Sequence, residues 1–247
     1  MLLGGGLQMA LAPVSAQTCR ERAESLVSKM TLEEKASLVS GQVDGFHTAA
    51  IPRLGIPSIR MADGPQGVRN KTRSTFYPCG ISLASTWNPD LAREMGRGLA
   101  LDARARGIHV MMGPGVNIYR SPLCGRNFEY YGEDPYLNGM MGVAAVKGYQ
   151  GDDLTADGAI AACLKHFVGY AYSDGGRDYH YTEISPQTLW DTALPPFEMG
   201  VKAGAATVMS AFNDISGVPA SANRYTMTDI LRGMWGFDGL VVSDWDA

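Results

Sequence analysis

What this 247-residue sequence lacks narrows its possible functions. It has no run of lysine and arginine, and 25 acidic residues outnumber 21 basic ones for a formal net charge of −4. That balance gives no electrostatic footprint for nucleic acid or an anionic membrane surface, so neither is expected as a partner. There are only four cysteines, Cys19, Cys79, Cys124 and Cys163, and none has the Cys-x-x-Cys or Cys/His spacing of a zinc site. No strand-like segment ends in Gly-x-Gly-x-x-Gly, and no phosphate-binding P-loop occurs, which argues against a Rossmann domain and a nucleotide site. A zinc site is therefore not expected, and neither is a cofactor. Internal repeats and low-complexity segments are missing as well.

The N-terminus is apolar but short. Residues 2–16 carry no charge and end in Val14-Ser15-Ala16, the small-x-small pattern of signal-peptidase sites. A basic stretch ahead of them is absent, and they fall short of the ~20 apolar residues that span a bilayer. Residues 1–16 are expected to be the later part of a signal peptide, and the protein to be exported, periplasmic or secreted. Residues 17–247 then form one domain.

What is present is an alternation of apolar runs with amphipathic stretches. Thr31-x-x-Glu34 predicts a capped helix to Val39. Residues 89–106 have helical spacing, Asp134-Pro135 opens a helix to about Tyr149, and Ser185-Pro186 opens one toward Lys202, with a kink at Pro195-Pro196. Thr226-x-x-Asp229 predicts a further capping box. Between these lie short strands at 57–61, 108–112, 159–164, 207–210 and 239–242, apolar nearly throughout. Buried strands each followed by a helix imply a parallel sheet covered by helices, and a (β/α)8 TIM-like barrel is favoured, incomplete at its C-terminus.

In such barrels the active site lies at the carboxyl ends of the strands. Here those ends carry Asp63, Asn117, Lys165-His166, Asn213 and Asp244. Each has an ordinary structural reading. Asp63 precedes Gly-Pro and suits a turn; Asp244 suits a helix N-cap; His166 suits a packed core; Arg126 suits a loop salt bridge to Glu129. Lys165 is harder to explain that way, because an ammonium after six small apolar residues is costly to bury unpaired. The spacing alone leaves three chemistries open. They are a Schiff-base lysine at Lys165, a metal held by Asp63, Glu129 and Asp244, and a carboxylate-lined sugar site. Cys163 sits in an apolar run and is expected to be a buried hydrophobe; pairing of Cys79 with Cys124 stays open.

Six motifs in order resemble glycoside hydrolase family 3. They are Ala62-Asp-Gly-Pro-Gln-Gly-Val-Arg69; Gly113-Pro-Gly-Val-Asn117; Gly125-Arg-Asn-Phe-Glu129 with Tyr131-Gly-Glu-Asp-Pro135; Lys165-His-Phe167; Met209-Ser-Ala-Phe-Asn213; and Val242-Ser-Asp-Trp245. The likeness runs from about residue 20 to the last. It implies a retaining β-glycosidase with Asp244 as nucleophile and Asp63, Arg69, Arg126, Lys165, His166, Met209 and Trp245 around a small carbohydrate substrate. β-Glucoside hydrolysis is favoured, with β-xylosidase, β-N-acetylglucosaminidase or a non-catalytic sugar-binding remnant as alternatives. Phe212 departs from the tyrosine common in the family. The resemblance also places the acid/base glutamate in a following α/β-sandwich domain absent from this chain, so the chain alone is expected to be inactive. Asp178-Tyr-His180 is the one internal dyad to weigh against that expectation.

Overall fold

The computed structural model describes residues 18–42 and 44–247. The expected leader, residues 1–16, lies outside the described residues. The chain divides into two compact units, one ending at Ser58 and the other running from Ile59 to Ala247.

The first unit holds α1 (Cys19–Ser28) and α2 (Leu32–Val39). Both start as the sequence dictates. Thr18 and Thr31 accept from the backbone N–H three residues on, while Glu21 and Glu34 reach back to the cap. Arg53 ties this unit together, bonding Glu34 through Nε at 2.6 Å and the Lys29 carbonyl through Nη2 at 2.8 Å.

Among the described residues the strands all lie in the second unit: β1 (Met61–Asp63), β2 (Val110–Met112), β3 (Ala161–Phe167), β4 (Tyr181–Thr182), β5 (Thr207–Ser210), β6 (Asp214–Ile215), β7 (Val218–Pro219) and β8 (Leu240–Ser243). Five form one parallel sheet in the order β1-β2-β3-β5-β8. Helices fill the crossovers: α3 (Gly80–Ala84) and α4 (Pro89–Ala105) precede β2, and α5 (Pro135–Gln150) precedes β3. Next come α6 (Pro186–Thr188) and α7 (Pro195–Lys202), ahead of β5. This is the α/β architecture of a TIM-like barrel, incomplete because the sheet does not close among the described residues. The remaining strands, β4, β6 and β7, make a small sheet from the loops after β3 and β5.

Strand and helix composition explain this layering. The sides of β2, β3 and β5 are buried almost throughout, with Met111, Ala162, Cys163, Leu164 and Val208 excluded from water. Burying a side chain of the size of Met111, Leu164 or Val208 contributes about 1.5–3 kcal/mol. Gln150, at the end of α5, joins layers that would otherwise expose backbone groups. Its Oε1 accepts from Ala162 N–H at 3.1 Å and Ala206 N–H at 2.9 Å, and its Nε2 donates to the Gly204 carbonyl at 2.8 Å.

Three local expectations need correction. The Ser185 cap forms, but the helix toward Lys202 is interrupted by a wider π-helical turn at Leu189–Ala193 just before the two prolines. The Thr226 capping box does not form. The π-helical segment Tyr225–Met234 starts earlier, and the Asn223 carboxamide takes the Thr226 N–H at 3.1 Å. Finally, Asp63, Lys165 and His166 lie within their strands rather than after them, Asp63 closing β1 and Lys165-His166 standing just ahead of Phe167, which closes β3. All four cysteines are unpaired; Cys163 is buried, and burial pushes its thiol up to about 12.

Candidate active site

At the carboxyl end of the sheet, β1 hands over to a tight turn. Gly64 and Gly67 have φ of 128° and 142°, a region closed to most side chains, and a Cβ on Gly64 would lie 1.7 Å from the Gly67 carbonyl oxygen. The turn brings Arg69 back on Asp63. The Arg69 N–H donates to the Asp63 carbonyl at 2.8 Å, and the guanidinium pairs with Asp63 Oδ2.

The other Asp63 oxygen belongs to Lys165. Its ammonium, 2% exposed, lies 2.7 Å from Asp63 Oδ1 and 3.9 Å from Glu129 Oε2. Glu129 in turn grips Arg126 in a two-pronged contact, Nε to Oε1 at 2.7 Å and Nη2 to Oε2 at 2.9 Å. The result is a chain of alternating charge, Arg69–Asp63–Lys165–Glu129–Arg126. This chain is how a lysine is tolerated in the core. Burial acts most strongly on Asp63 and would raise its pKa, but Lys165, Arg69 and the Gly64 N–H together hold it below the usual aspartate value. Asp63 is thus an ionised acceptor at neutral pH.

His166 follows Lys165, and strict alternation would turn it to the opposite face. The register of β3 against β5 slips between Leu164 and Phe167, and this irregularity breaks the alternation. Both the Lys165–His166 and Phe167–Val168 peptides are cis. Asn117 stands beside the slip like a strand neighbour. Its Oδ1 accepts the His166 N–H at 2.7 Å, and its Nδ2 donates to the His166 carbonyl at 2.9 Å. Burial, reinforced by the charges of Lys165 and Arg126, holds the imidazole well below its usual pKa, so His166 is neutral at pH 7.

Asp244 directly follows β8, its N–H bonded to the Ser210 carbonyl at 3.2 Å. One carboxylate oxygen, Oδ1, accepts the Trp245 N–H at 2.8 Å. The other, Oδ2, is buried without a hydrogen-bond partner. His166 Nε2 faces it at 3.6 Å, too far for a hydrogen bond. Burial dominates this carboxyl and raises its pKa; the Trp245 N–H, Arg126 and Lys165 offset that only partly. A buried acceptor with nothing bound to it is rare in folded proteins and calls for an explanation.

The structure therefore joins Asp63, Arg69, Lys165 and Arg126 in one network and sets His166 between that network and Asp244. Met209 is buried in β5, in register with Val242 two residues before Asp244, and Trp245 is half exposed beside it. Glu129, weighed from the sequence as a metal ligand or a salt-bridge partner of Arg126, links Lys165 to Arg126 in the ion chain. Two features were not legible as site parts. Tyr130 is wholly buried against His166, and Tyr170 lies edge-on to His166 with centroids 4.9 Å apart and Arg126 over its ring at 5.6 Å.

Two strand-end asparagines have structural roles instead: Asn117 clamps His166, and the Asn213 amide bonds Thr182 Oγ1 and the Asp214 carbonyl, each at 3.1 Å. The Asp178–His180 dyad is not formed. Asp178 accepts from the Tyr170 hydroxyl, and His180 Nδ1 is buried without a partner. No three of His, Cys, Asp and Glu group to hold a metal among the described residues, and Lys165 is engaged by carboxylates rather than facing an open carbonyl pocket.

A parallel α/β half-barrel with carboxylates, cations and a neutral histidine gathered at its strand ends defines a barrel-enzyme site. Residues 20–247 match the Glycosyl hydrolase family 3 N terminal domain, and the chain belongs to that family. It is 40% identical over 237 residues to thermostable beta-glucosidase B of Acetivibrio thermocellus, covering 91% of this chain and 30% of that protein. It is 42% identical over 229 residues to a beta-glucosidase of Rhizobium radiobacter, covering 90% of this chain and 27% of the relative. Beta-glucosidase 3B from Thermotoga neapolitana in complex with glucose superposes with a TM-score of 0.81 at 37% identity, over 91% of this chain and 34% of the other. The chain thus spans about a third or less of the proteins it matches. Its homologues are β-glucosidases, and the chain is a glycosidase-family domain.

Proposed function

We propose that this chain is the nucleophile-bearing part of an exported β-glucosidase that removes terminal non-reducing β-glucosyl residues with retention of configuration. The observation that carries the reading is Asp244 Oδ2, a buried carboxylate oxygen left unbonded beside a neutral histidine and under the charges of Arg126 and Lys165. A retaining glycosidase needs such an oxygen under the anomeric carbon, free to form a covalent glycosyl-enzyme bond as the aglycone leaves. Asp63, ionised and held by Lys165 and Arg69, is suited to accept sugar hydroxyls on the far side of the ring, where charge-assisted bonds are strong. Lys165, His166, Arg69 and Arg126 supply donors around the same ring, while Met209 and Trp245 are apolar neighbours of the Asp244 end.

The second requirement is a protonated carboxyl at the leaving oxygen. The Asp178–His180 pair is not assembled to do this, so the acid/base is assigned to a following domain outside this chain, and the chain alone is expected to be inactive. The apolar residues 2–16 support export. A panel of nitrophenyl glycosides tests the reading on the full-length protein. The β-glucoside is expected to be the best substrate and the 247-residue chain alone inert toward cellobiose. A preference for the β-xyloside or the N-acetylglucosaminide would overturn the glucosyl assignment, and strong cellobiose hydrolysis by the chain alone would overturn the missing acid.

A further inference from the structure

Tyr130, outside the groups already assigned, is wholly buried and bonded to a site residue. Its ring fits because residue 115 is glycine; a Cβ there would lie 2.9 Å from Tyr130 Cδ1 and Cε1. The hydroxyl meets His166 Nδ1 at 3.1 Å. On the far side of that imidazole, Nε2 faces the unpartnered Asp244 Oδ2.

A neutral imidazole carries its proton on one nitrogen, and its hydrogen-bond partners decide which. Two neighbours of Nδ1 compete. Asn117 Oδ1, at 3.3 Å, is an acceptor and would draw the proton to Nδ1. That oxygen, however, already takes the His166 backbone N–H at 2.7 Å. Tyr130 is a donor: burial pushes its phenol well above the usual value, so it keeps its proton. If Nδ1 carried the proton, the Tyr130 O–H would have no acceptor in its buried setting, and the Nε2 lone pair would point at a carboxylate. If Nδ1 accepts from Tyr130, the proton sits on Nε2 and faces Asp244, and both conflicts disappear.

We propose that Tyr130 is a positioning residue that fixes the Nε2–H tautomer of His166, so that this histidine presents a single N–H donor toward Asp244 and the sugar hydroxyl bound beside it. The role in glycoside cleavage rests on the function proposed above, but the tautomer does not. Long-range proton–nitrogen NMR correlation on the 15N-labelled 247-residue chain at neutral pH tells a protonated ring nitrogen from a bare one. The His166 signals are identified by their loss in His166→Asn. Nε2 is expected to be protonated in the unsubstituted chain, and in Tyr130→Phe the proton is expected to move to Nδ1 with Asn117 Oδ1 as acceptor. A proton on Nδ1 in the unsubstituted chain would overturn the proposal whether or not the variant folds, and so would an unchanged tautomer in folded Tyr130→Phe. In the full-length protein Tyr130→Phe is expected to lower kcat/KM about tenfold, the scale on which outer hydrogen-bond partners of an oriented histidine act. The expected tautomers without β-glucoside cleavage would refute the functional reading alone; cleavage with the wrong tautomer would refute the positioning role of Tyr130 alone.

Discussion

Asp244→Asn is expected to lower β-glucoside hydrolysis by the full-length protein at least about 10⁴-fold, the scale of losing a covalent nucleophile. The same substitution is expected to leave folding stability unchanged or to raise it by about 1 kcal/mol, as often happens when a functional, locally unfavourable group is removed. The physical reason is specific to this carboxylate. Its Oδ2 is buried and unbonded, and desolvation raises its pKa despite Arg126 and Lys165. An amide keeps the one bond that exists, from the Trp245 N–H to Oδ1, and removes the buried charge. Activity assays and thermal melts on the purified variant read both effects. Near-full activity would exclude a nucleophile, whereas a large loss of stability would favour the alternative that Asp244 is a structural cap.

Lys165→Met should act in the opposite way, chiefly on stability. The ammonium is shared by Asp63 and Glu129 in the core, and removing one partner of a buried ion pair leaves uncompensated charge, at a cost of about 3 kcal/mol here. Arg69 and Arg126 still hold the outer ends of the two carboxylates, which keeps the expected loss at the low end. The pH dependence follows from Asp63, whose folded pKa lies below its ordinary value of 3.8. A depressed carboxyl contributes stability above the ordinary value and loses it as pH falls through the folded one. Without Lys165 that depression weakens, so the gap between the two proteins should be widest at neutral pH and narrow below about pH 4. Urea midpoints at several pH values measure this. A gap independent of pH would mean that Lys165 matters only through its packing.

Much of this fold could be read from local chemistry. A Thr cap located α2, helical spacing located α4, and Asp134-Pro135 located α5, because those signals act within a few residues. The five apolar runs became the parallel sheet, each within a few residues of its expected span. The site was legible where a charge interrupted an apolar strand end: Asp63, Lys165 and Asp244 all lie at the sheet's carboxyl edge, and two of them touch. What depended on distant partners was hidden. Nothing near Asn117 or Asn213 in the chain says that their amides hold backbone and hydroxyl groups rather than ligand. The ability of Lys165 and His166 to serve one site contradicts strand alternation, and it follows only from a register slip between β3 and β5. Tyr130 looked like one more aromatic in a loop. Its significance comes from a glycine fifteen residues earlier and a histidine on another strand. Likewise, Thr226 is not a cap because its own N–H is taken by the Asn223 amide oxygen, a contact that the Thr226-x-x-Asp229 spacing does not report.

The central claim is that Asp244 is the residue that bonds to the sugar. The most direct measurement is to trap the full-length protein with an activated 2-deoxy-2-fluoro-β-glucoside, digest it, and locate the label by mass spectrometry. One glycosyl group is expected, on the peptide containing Ser243-Asp244-Trp245, and none in Asp244→Asn. A stable label on Asp63, Glu129, Asp178 or any other residue would contradict it.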